Sequence, residues 1–177
     1  GVCYYMKLQN SFKSEFRNKK ILITGGTGSI GIGLIKQLLP YKPKIIKVFT
    51  NDENSIFESI RKFGKNPVID YEMGDVRDKE RLDFVIRGID IVFHAAAMKH
   101  VDICEENPFD AVKTNVNGTS NIIESSISGK VSKFILISTD KATLPSTTLG
   151  ASKLLAERLT INANSYDNFE NINSMKS

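Results

Sequence analysis

Residues 24–31 read Thr-Gly-Gly-Thr-Gly-Ser-Ile-Gly, and this stretch decides the predicted fold. An apolar run, residues 19–24, leads into it, and residues 29–39 carry apolar side chains at helical spacing until Pro40. A glycine-rich turn between a buried strand and a helix is typical of dinucleotide binding, because the helix N-terminus offers free N–H groups to phosphates. The alternative is a plain glycine-rich turn that binds nothing.

Each glycine of the loop has a physical role. Gly25 permits a tight turn, Gly28 lets the backbone approach a pyrophosphate, and Gly31 lets the helix pack closely on the sheet. The loop lacks the Gly-Lys-Ser/Thr ending of an ATP-hydrolysing phosphate loop. The expected cofactor contacts in this loop are Gly25, Thr27, Gly28, Ser29, Ile30 and Gly31.

Strand and helix patterns alternate after the loop. Further strands are predicted over residues 44–50, 67–73, 90–97 and 131–138, and helices over residues 53–63, 78–87, 108–128 and 150–162. The alternation predicts an α/β fold, a Rossmann-like doubly wound parallel sheet in three layers. We expect this NAD(P)-binding domain over residues 19–162, after an N-terminal lead-in or tag (1–18) and before a polar, flexible tail (163–177).

Composition narrows the function classes. The 177 residues are 41% apolar and 25% charged, with a net charge of +4, values typical of a globular protein. Basic residues do not cluster, so nucleic acid is not an expected partner. No run approaches the roughly 20 apolar residues of a membrane span. Two cysteines, Cys3 and Cys104, are too few for a disulfide framework, which favours the cytoplasm.

The end of the second strand distinguishes NAD from NADP in such folds. An acidic residue there binds the adenosine ribose of NAD, whereas an arginine favours the 2′-phosphate of NADP. This chain has Asn51 and Asp52 at that place and no arginine, so NAD is the favoured cofactor and NADP the alternative. Capping of the next helix is a second role for Asp52, compatible with the first.

The fourth strand leads into small residues and then two basic ones, in the loop where open α/β sheets bind ligands. We expect Lys99 to contact both cofactor and substrate, and His100 to contact substrate. His94 is expected to be structural, and no cluster of metal-ligating side chains accompanies it. The expected cofactor contacts after this strand are Ala95, Ala96, Ala97 and Lys99.

The fifth strand ends in a polar run, Ser138-Thr139-Asp140-Lys141. Polar residues at the carboxyl edge of a parallel sheet indicate a site. An ordinary polar loop, with Asp140 paired to Lys141, is the alternative.

The loop pattern Thr-Gly-x-x-Gly-x-x-Gly resembles that of the extended short-chain dehydrogenase/reductases. Asp75 and Val76 resemble the pair that lies beside the adenine in that superfamily. Asn115 matches its helix asparagine, which supports the active-site backbone. Lys153 matches its lysine, which holds the nicotinamide ribose and lowers neighbouring pKa values. The resemblance therefore places all four residues at the cofactor site.

A more specific resemblance is to the UDP-N-acetylglucosamine 4,6-dehydratases of the polysaccharide-biosynthesis (CapD-type) family, over about residues 16–159. The motifs that carry it are Ala96-Ala97-Met98-Lys99-His100-Val101, Glu106-Asn107-Pro108, Thr114-Asn115, Ser138-Thr139-Asp140-Lys141-Ala142, Pro145 and Gly150-Ala151-Ser152-Lys153. The Thr-Asp-Lys run is much more specific than the glycine loop.

The resemblance implies a reaction on a UDP-sugar. Hydride leaves C4 of the sugar for NAD(P)⁺, water is eliminated across C5 and C6, and the hydride returns to C6. The resemblance makes Asp140 the acid that protonates the leaving hydroxyl and Lys141 the base at C5. A lysine in a dry pocket near other cations can have its pKa lowered enough to act as a base.

Two departures from the family pattern matter. Leu149 stands where the superfamily has the tyrosine of Tyr-x-x-x-Lys, and leucine cannot take a proton, so Thr139 becomes the candidate to contact the C4 hydroxyl. Family enzymes are roughly twice as long, so we expect this sequence to correspond to their cofactor-binding portion without the C-terminal substrate domain. The sheet edge left open favours a homo-oligomer. The alternatives are another extended short-chain epimerase or reductase, or a non-catalytic dinucleotide-binding module.

Overall fold

The computed structural model describes residues 14–138, 142, 146–163, 165 and 173–176. Within these residues a six-stranded parallel sheet has the order β3-β2-β1-β4-β5-β6, which confirms the predicted Rossmann-like fold. The strands are β1 (Lys20–Thr24), β2 (Ile45–Thr50), β3 (Ile69–Met73), β4 (Ile91–His94), β5 (Lys133–Ser138) and β6 (Asn173–Lys176).

Helices cover both faces of the sheet. They are α1 (Ser29–Leu38), α2 (Glu53–Phe63), α3 (Lys79–Val85), α4 (Val101–Glu106), α5 (Pro108–Ala111), α6 (Gly118–Ser128) and α7 (Thr148–Ala163). Alternate strand residues point to opposite faces, so Leu22 joins the apolar cluster under α3, α6 and α7, whereas Ile21 and Ile23 join the cluster under α1. Each of these three side chains is fully buried, and its burial contributes about 1.5–3 kcal/mol to the free energy of folding.

The register brings the first loops of the site together. Thr24 at the end of β1 is aligned with Phe49 of β2 on one side and with His94 of β4 on the other. The loops that follow these strands therefore leave the sheet at the same edge. This is the edge at which open α/β sheets bind ligands.

The long helix predicted over residues 108–128 is interrupted. Pro108 begins α5, residues Val112–Asn117 form a π-helical turn, and α6 continues from Gly118. A π-helical turn inside a helix frequently marks a functional site. Helix α4 was not predicted from the sequence, because its six residues are too few to show an apolar period. The predicted fourth strand is also shorter than expected, since β4 ends at His94 and the three alanines lie beyond it.

The fold begins before residue 19, which corrects the predicted lead-in for residues 14–18. Phe16 is half-buried and packs against the core, with its ring 5.8 Å from that of Tyr41 and 6.3 Å from that of Phe93. Glu15 forms an ion pair with Lys133 of β5. A single aromatic residue in a polar segment gives no periodic signal, which is why the sequence did not reveal this packing.

The polar tail predicted over residues 163–177 contains a strand, which is a second correction. Residues 173–176 form β6, paired in parallel with β5 from Ile135 to Ser138. Backbone hydrogen bonds make this pairing, so it needs no apolar period in the sequence. The edge of β5 is therefore covered, and the expectation of an open edge there does not hold.

Candidate functional site

A cleft of about 750 Å³ opens where β1, β2, β3 and β4 end. It has the place and the size expected of a ligand site in an open α/β sheet. Fourteen of the predicted cofactor contacts line it: Gly25, Thr27, Gly28, Ser29, Ile30, Gly31, Asn51, Asp52, Asp75, Val76, Ala95, Ala96, Ala97 and Lys99.

The glycine loop, residues 25–31, is shaped by backbone contacts. Gly25 has φ +64°, and a Cβ there would lie 2.7 Å from the amide nitrogen of Ala96. The amide of Gly25 donates to the carbonyl of Phe49 at 2.8 Å, which ties the loop to β2. A Cβ on Gly31 would overlap the backbone of Gly26. Gly25 therefore has the tight-turn role that the sequence predicted, whereas the close contact of Gly31 is with the loop at Gly26 and not with a strand.

Gly28 differs, because the protein itself leaves room for a Cβ. An added Cβ would meet only the Gly25 carbonyl oxygen at 3.4 Å and Lys99 Nζ at 3.9 Å. The added Cβ would project into the cleft beside the start of α1. Gly28 is the N-cap of this helix and has no side chain, so no side-chain hydrogen bond caps the helix. Lys99 Nζ therefore lies close to the N-terminus of α1, whose first N–H groups have no acceptor within the helix. The arrangement fits a pyrophosphate group.

The end of β2 is held by hydroxyl groups and a helix cap. Ser55 Oγ lies 2.7 Å from Thr27 Oγ1, and Thr27 Oγ1 lies 3.2 Å from Thr50 Oγ1, so the glycine loop is linked to β2 and α2. The Asp52 carboxylate accepts from the Ser55 amide at 3.2 Å and caps α2. The capping role weighed for Asp52 is therefore present, and the residue also lines the cleft.

Asp75 and Arg77 form a charged pair at the end of β3. Arg77 donates to both carboxylate oxygens of Asp75, at 3.0 and 2.8 Å, and Asn51 Nδ2 donates to the same carboxylate at 3.1 Å. The hydrogen bonds from Arg77 are the main reason that the pKa of Asp75 is lowered. Arg77 also lies 3.8 Å from Asp110. This cluster forms one wall of the cleft.

Sequence reasoning missed several residues that line the cleft. They are Phe49, Thr50, Ser55, Gly74, Arg77, Met98, Asp110 and Thr114. For Arg77 a signal was available, since a basic residue two positions after Asp75 lies within reach of the same carboxylate. The others enter the cleft through the way the chain folds, and no spacing in the sequence marks them.

Asn115 lies behind the cleft. Its side chain is 1% exposed; its Oδ1 accepts from the Met98 amide at 2.8 Å, and its Nδ2 donates to the Met98 carbonyl at 3.1 Å. The same amide also lies 3.0 Å from Ser152 Oγ on α7. Asn115 therefore holds the backbone of the loop that follows β4. His100, predicted to contact substrate, is exposed at the start of α4 and does not line this cleft.

Lys153 is a buried cation near the end of β5. Its Nζ donates to the carbonyl of Ile137 at 2.8 Å, and the residue is 7% exposed. Burial lowers the pKa of Lys153 to about 8, and Glu157 opposes this shift. Lys153 does not line the cleft described above. Three of the predicted catalytic residues, Thr139, Asp140 and Lys141, lie outside the described residues.

Leu149, at the position of the superfamily's tyrosine, is buried in a small apolar cluster. It packs with Cys104 and Ala111, and Met98 and Val101 lie against the same cluster. No ionisable group occupies this position, so it offers nothing to accept a proton.

Clustered metal ligands and membrane-spanning helices are both absent from the residues that the structure describes. In this part of the chain no three His, Cys, Asp or Glu side chains come together as metal ligands. None of the helices that the structure describes is both long and apolar enough to cross a membrane.

Comparison with known sequences adds to this geometry. The model of a family described as polysaccharide biosynthesis protein matches residues 21–175. An uncharacterized membrane protein of Methanocaldococcus jannaschii is 54% identical over 85% of this chain and 45% of its own length. An inverting UDP-N-acetylglucosamine 4,6-dehydratase of Campylobacter jejuni is 48% identical over 84% of this chain and 45% of its own length. A UDP-glucose 4-epimerase of Rickettsia akari is 42% identical over 82% of this chain and 44% of its own length.

Solved structures share the architecture. Pen from Bacillus thuringiensis superposes with a TM-score of 0.87 at 40% identity, over 91% of this chain and 50% of that one. The dTDP-glucose 4,6-dehydratase DesIV from Streptomyces venezuelae, solved with NAD bound, gives a TM-score of 0.82 at 23% identity, over 89% and 55%. At that identity the second likeness shows the fold alone. The chain spans about half the length of the curated relatives that it matches.

Proposed function

Because this chain belongs to the polysaccharide biosynthesis protein family, we propose that it forms the dinucleotide-binding half of a nucleotide-sugar 4,6-dehydratase. The observation that carries the proposal is the cleft, in which the glycine loop, the uncapped start of α1 and Lys99 lie close together. The proposed substrate is a UDP-sugar similar to UDP-N-acetylglucosamine. The product would serve surface polysaccharide or glycan synthesis.

Each part of the cleft has a proposed share in cofactor binding. The N–H groups of Ser29, Ile30 and Gly31 and the ammonium of Lys99 would hold the pyrophosphate. Asn51 and Asp52 at the end of β2 would meet the adenosine ribose, and Asp75 and Val76 at the end of β3 would lie beside the adenine. Ala95, Ala96 and Ala97 leave a flat surface. A bound nicotinamide dinucleotide would supply the hydride acceptor for C4 of the sugar and the hydride donor for C6.

NAD is the favoured cofactor, with NADP as the alternative. Residues 50–53 at the end of β2 include no lysine or arginine that would neutralise a 2′-phosphate. Arg77 is the guanidinium that lines the cleft, and its contacts with Asp75 already compensate its charge. Asp52 adds a carboxylate at this place, and its repulsion of a 2′-phosphate supports the preference.

The proposed chemistry belongs to the end of β5. Lys141 would take the C5 proton after C4 has become a ketone, and Asp140 would protonate the C6 hydroxyl as it leaves as water. Thr139 would contact the C4 hydroxyl. The Lys153 ammonium, held by the Ile137 carbonyl, would fix the nicotinamide ribose and favour deprotonation of groups nearby.

Leu149 bears on the choice between a dehydratase and an epimerase. A short-chain epimerase relies on the tyrosine that this chain replaces with a buried leucine. The Campylobacter dehydratase and the Rickettsia epimerase are both similar to the chain, so the two activities stay competing outcomes of one experiment. The apolar cluster around Leu149 favours the dehydratase.

The assembly and location of the protein are also proposals. We place it in the reducing cytoplasm, where the free buried thiol of Cys104 would persist. We propose a homo-oligomer, because Phe109 is 81% exposed and Leu155 is 52% exposed. Light scattering at several concentrations measures the oligomeric state, and a monomer at every concentration would contradict this proposal.

The test follows the reaction by proton NMR in D₂O. The protein encoded by the gene read to its stop codon is incubated with UDP-N-acetylglucosamine and NAD. A 4-keto-6-deoxy product with deuterium at C5 is expected, and Asp140→Asn and Lys141→Met should abolish it. Lys36→Met, on the exposed side of α1, is the matched control and should leave turnover unchanged. A product changed only at C4 would establish an epimerase, and no dinucleotide binding would overturn the proposal.

A further inference from the structure

His94 lies beneath the cleft at the carboxyl end of β4 and connects two buried threonines. Its Nδ1 is 2.6 Å from Thr24 Oγ1 on β1, and its Nε2 is 3.0 Å from Thr119 Oγ1 on α6. His94 and Thr119 are each 1% exposed, and Thr24 is fully buried. Because water does not reach this place, each of these hydrogen bonds must be made within the protein.

The partner at one end fixes the direction of the hydrogen bonds. Thr119 Oγ1 lies 2.7 Å from the carbonyl oxygen of Asn115, and a carbonyl only accepts, so the Thr119 hydroxyl donates its hydrogen there. The Thr119 oxygen must then accept from His94, which places a hydrogen on Nε2. A neutral ring with a hydrogen on Nε2 has a lone pair on Nδ1. The Thr24 hydroxyl therefore donates to Nδ1.

The other end of this series of hydrogen bonds reaches the cleft. Since the Thr24 hydroxyl donates to His94, its oxygen is free to accept, and the amide of Ala96 lies 3.3 Å from it. The hydrogen bonds thus run in one direction from Ala96 through Thr24, His94 and Thr119 to the Asn115 carbonyl. A protonated ring would carry hydrogens on both nitrogens, and the Thr24 hydroxyl would lose its acceptor.

This series of hydrogen bonds, which we call the clamp, holds one loop at two points. Its first member is the amide of Ala96, and its last is the backbone of Asn115, whose side chain holds both the amide and the carbonyl of Met98. The segment between, residues 96–98, lines the cleft. Movement of His94 would therefore shift both attachment points of the surface on which a dinucleotide would lie.

We propose that His94, held as the neutral tautomer with its hydrogen on Nε2, is a positioning residue that sets the backbone of Ala96–Met98 for dinucleotide binding. It touches no ligand itself and acts through Thr24 and Thr119. The binding part of this inference rests on the proposed function, whereas the tautomer and the clamp do not. Burial, aided by the charge of Lys153, lowers the pKa of His94 to about 3, in agreement with a neutral ring.

The tautomer is measured by long-range ¹⁵N–¹H NMR of the histidine rings of the described chain. The sequence contains two histidines, His94 and His100. The ring signals that disappear in the His100→Gln variant belong to His100, so the signals that remain are those of His94. We expect a protonated Nε2 and an unprotonated Nδ1, unchanged between pH 8 and pH 5. A hydrogen on Nδ1 at pH 7, in either the neutral or the charged ring, would overturn the inference.

The clamp is tested with a pair of isosteric variants. Thr119 and Thr160 are both buried helical threonines whose hydroxyls donate to the carbonyl four residues earlier, at 2.7 and 2.8 Å. Thr119 also accepts from His94. Thr119→Val should speed hydrogen exchange at the amides of Ala96 and Met98 and raise the Kd for NAD about fivefold, whereas Thr160→Val should change neither.

The outcomes separate this inference from the proposed function. If the wild-type protein binds no dinucleotide, the proposed function fails, and hydrogen exchange and the tautomer still decide whether the clamp exists. If Thr119→Val matches Thr160→Val in both exchange and Kd, the positioning role is wrong even though NAD binds. If Thr119→Val fails to fold, the tautomer measured on the wild-type protein decides.

Discussion

Two of the loops that line the cleft are held in place by different kinds of contact. The glycine loop, residues 25–31, is fixed by backbone contacts so close that Gly25 and Gly31 have no room for a Cβ. The loop after β4, which we call the strand-4 loop (residues 95–100), is fixed by buried side chains, namely Thr24, His94 and Asn115. A loop held by backbone sterics is visible in the sequence as glycines. Of the side chains that hold the strand-4 loop, the family resemblance implied a role for Asn115, whereas the contacts of Thr24 and His94 become visible only in the fold.

The glycine loop should show the largest effect of a single substitution. A Cβ in Gly31→Ala would overlap the Gly26 backbone, which cannot move aside as a flexible side chain does. We expect the free energy of unfolding, measured by urea titration, to fall by about 3 kcal/mol or more.

Gly33 provides the matched control on the same helix. A Cβ there would meet no atom within 4 Å, so Gly33→Ala should stabilise α1 by about 0.5–1 kcal/mol. Equal effects of the two substitutions would show that helix propensity, and not close packing, explains the glycine at position 31.

Removing the support of the strand-4 loop should lower the free energy of unfolding by less than Gly31→Ala does, and it should also weaken NAD binding. Asn115→Ala leaves the half-buried amide and carbonyl of Met98 without their side-chain partner, so we expect a loss of about 2 kcal/mol in unfolding free energy. The Kd for NAD should also rise about tenfold, because the loop loses its support. Urea titration and isothermal calorimetry measure the two quantities.

Asn107 is the control for this substitution. It is exposed, and its side chain donates to one carbonyl, that of Ile103, at 3.0 Å. Asn107→Ala should cost about 0.5 kcal/mol and leave NAD binding unchanged. If Asn115→Ala weakened folding but not binding, the strand-4 loop would not need its side-chain support, and the contrast between the two loops would lose its functional meaning.

The same contrast explains what the sequence could predict. The Rossmann-like fold and the glycine loop followed from apolar periods and one motif, because these depend on local spacing. Of the fourteen predicted residues that line the cleft, Asp75 and Val76 followed from the family resemblance and the others from the glycine motif and the strand ends. The hydrogen-bond chain through Thr24, His94 and Thr119 joins residues 70 and 25 positions apart, and no local pattern records such partners. Arg77 was missed although its spacing from Asp75 was a usable signal, because its position in the cleft also depends on how β3 ends beside β2.

The two corrections at the chain ends have the same cause. Phe16 packs on the core through one aromatic ring, and β6 pairs with β5 through its backbone. Neither interaction needs a repeated apolar residue, so periodicity gave no sign of them. The interruption of the predicted long helix is also tertiary in origin, since the π-helical turn contains Asn115, which bonds to the strand-4 loop.

Lys153, near the end of β5, is also held by a buried contact, and its lowered pKa predicts that the free energy of unfolding depends on pH. Its pKa is about 8 in the folded protein and 10.5 when unperturbed. Below pH 8 the amine is charged in both states, and folding must bury that charge. Between pH 8 and 10.5 the folded state releases the proton while the unfolded state keeps it. The contribution of this group to the free energy of unfolding therefore rises with pH, by about 2–3 kcal/mol across this window.

Urea titrations at pH 7.5, 9 and 10.5 measure this rise. Lys153→Met should remove the contribution, whereas Lys36→Met on the exposed side of α1 should keep it. If the wild-type protein and Lys153→Met changed in parallel with pH, the buried amine would not carry the dependence.

The end of β2 gives the smallest expected effect and separates stability from cofactor choice. Asp52 and Asp78 both cap a helix, each accepting from an amide three residues later, at 3.2 and 3.0 Å. Either change to alanine should therefore cost about 1 kcal/mol of unfolding free energy. Asp52 also lines the cleft, whereas Asp78 does not. Asp52→Ala should thus raise the affinity for NADP relative to NAD, because a carboxylate that repels a 2′-phosphate is gone, and Asp78→Ala should leave that ratio unchanged. An unchanged ratio in both variants would mean that Asp52 acts only as a cap, and that discrimination between the two dinucleotides comes from the Asp75 and Arg77 pair across the cleft.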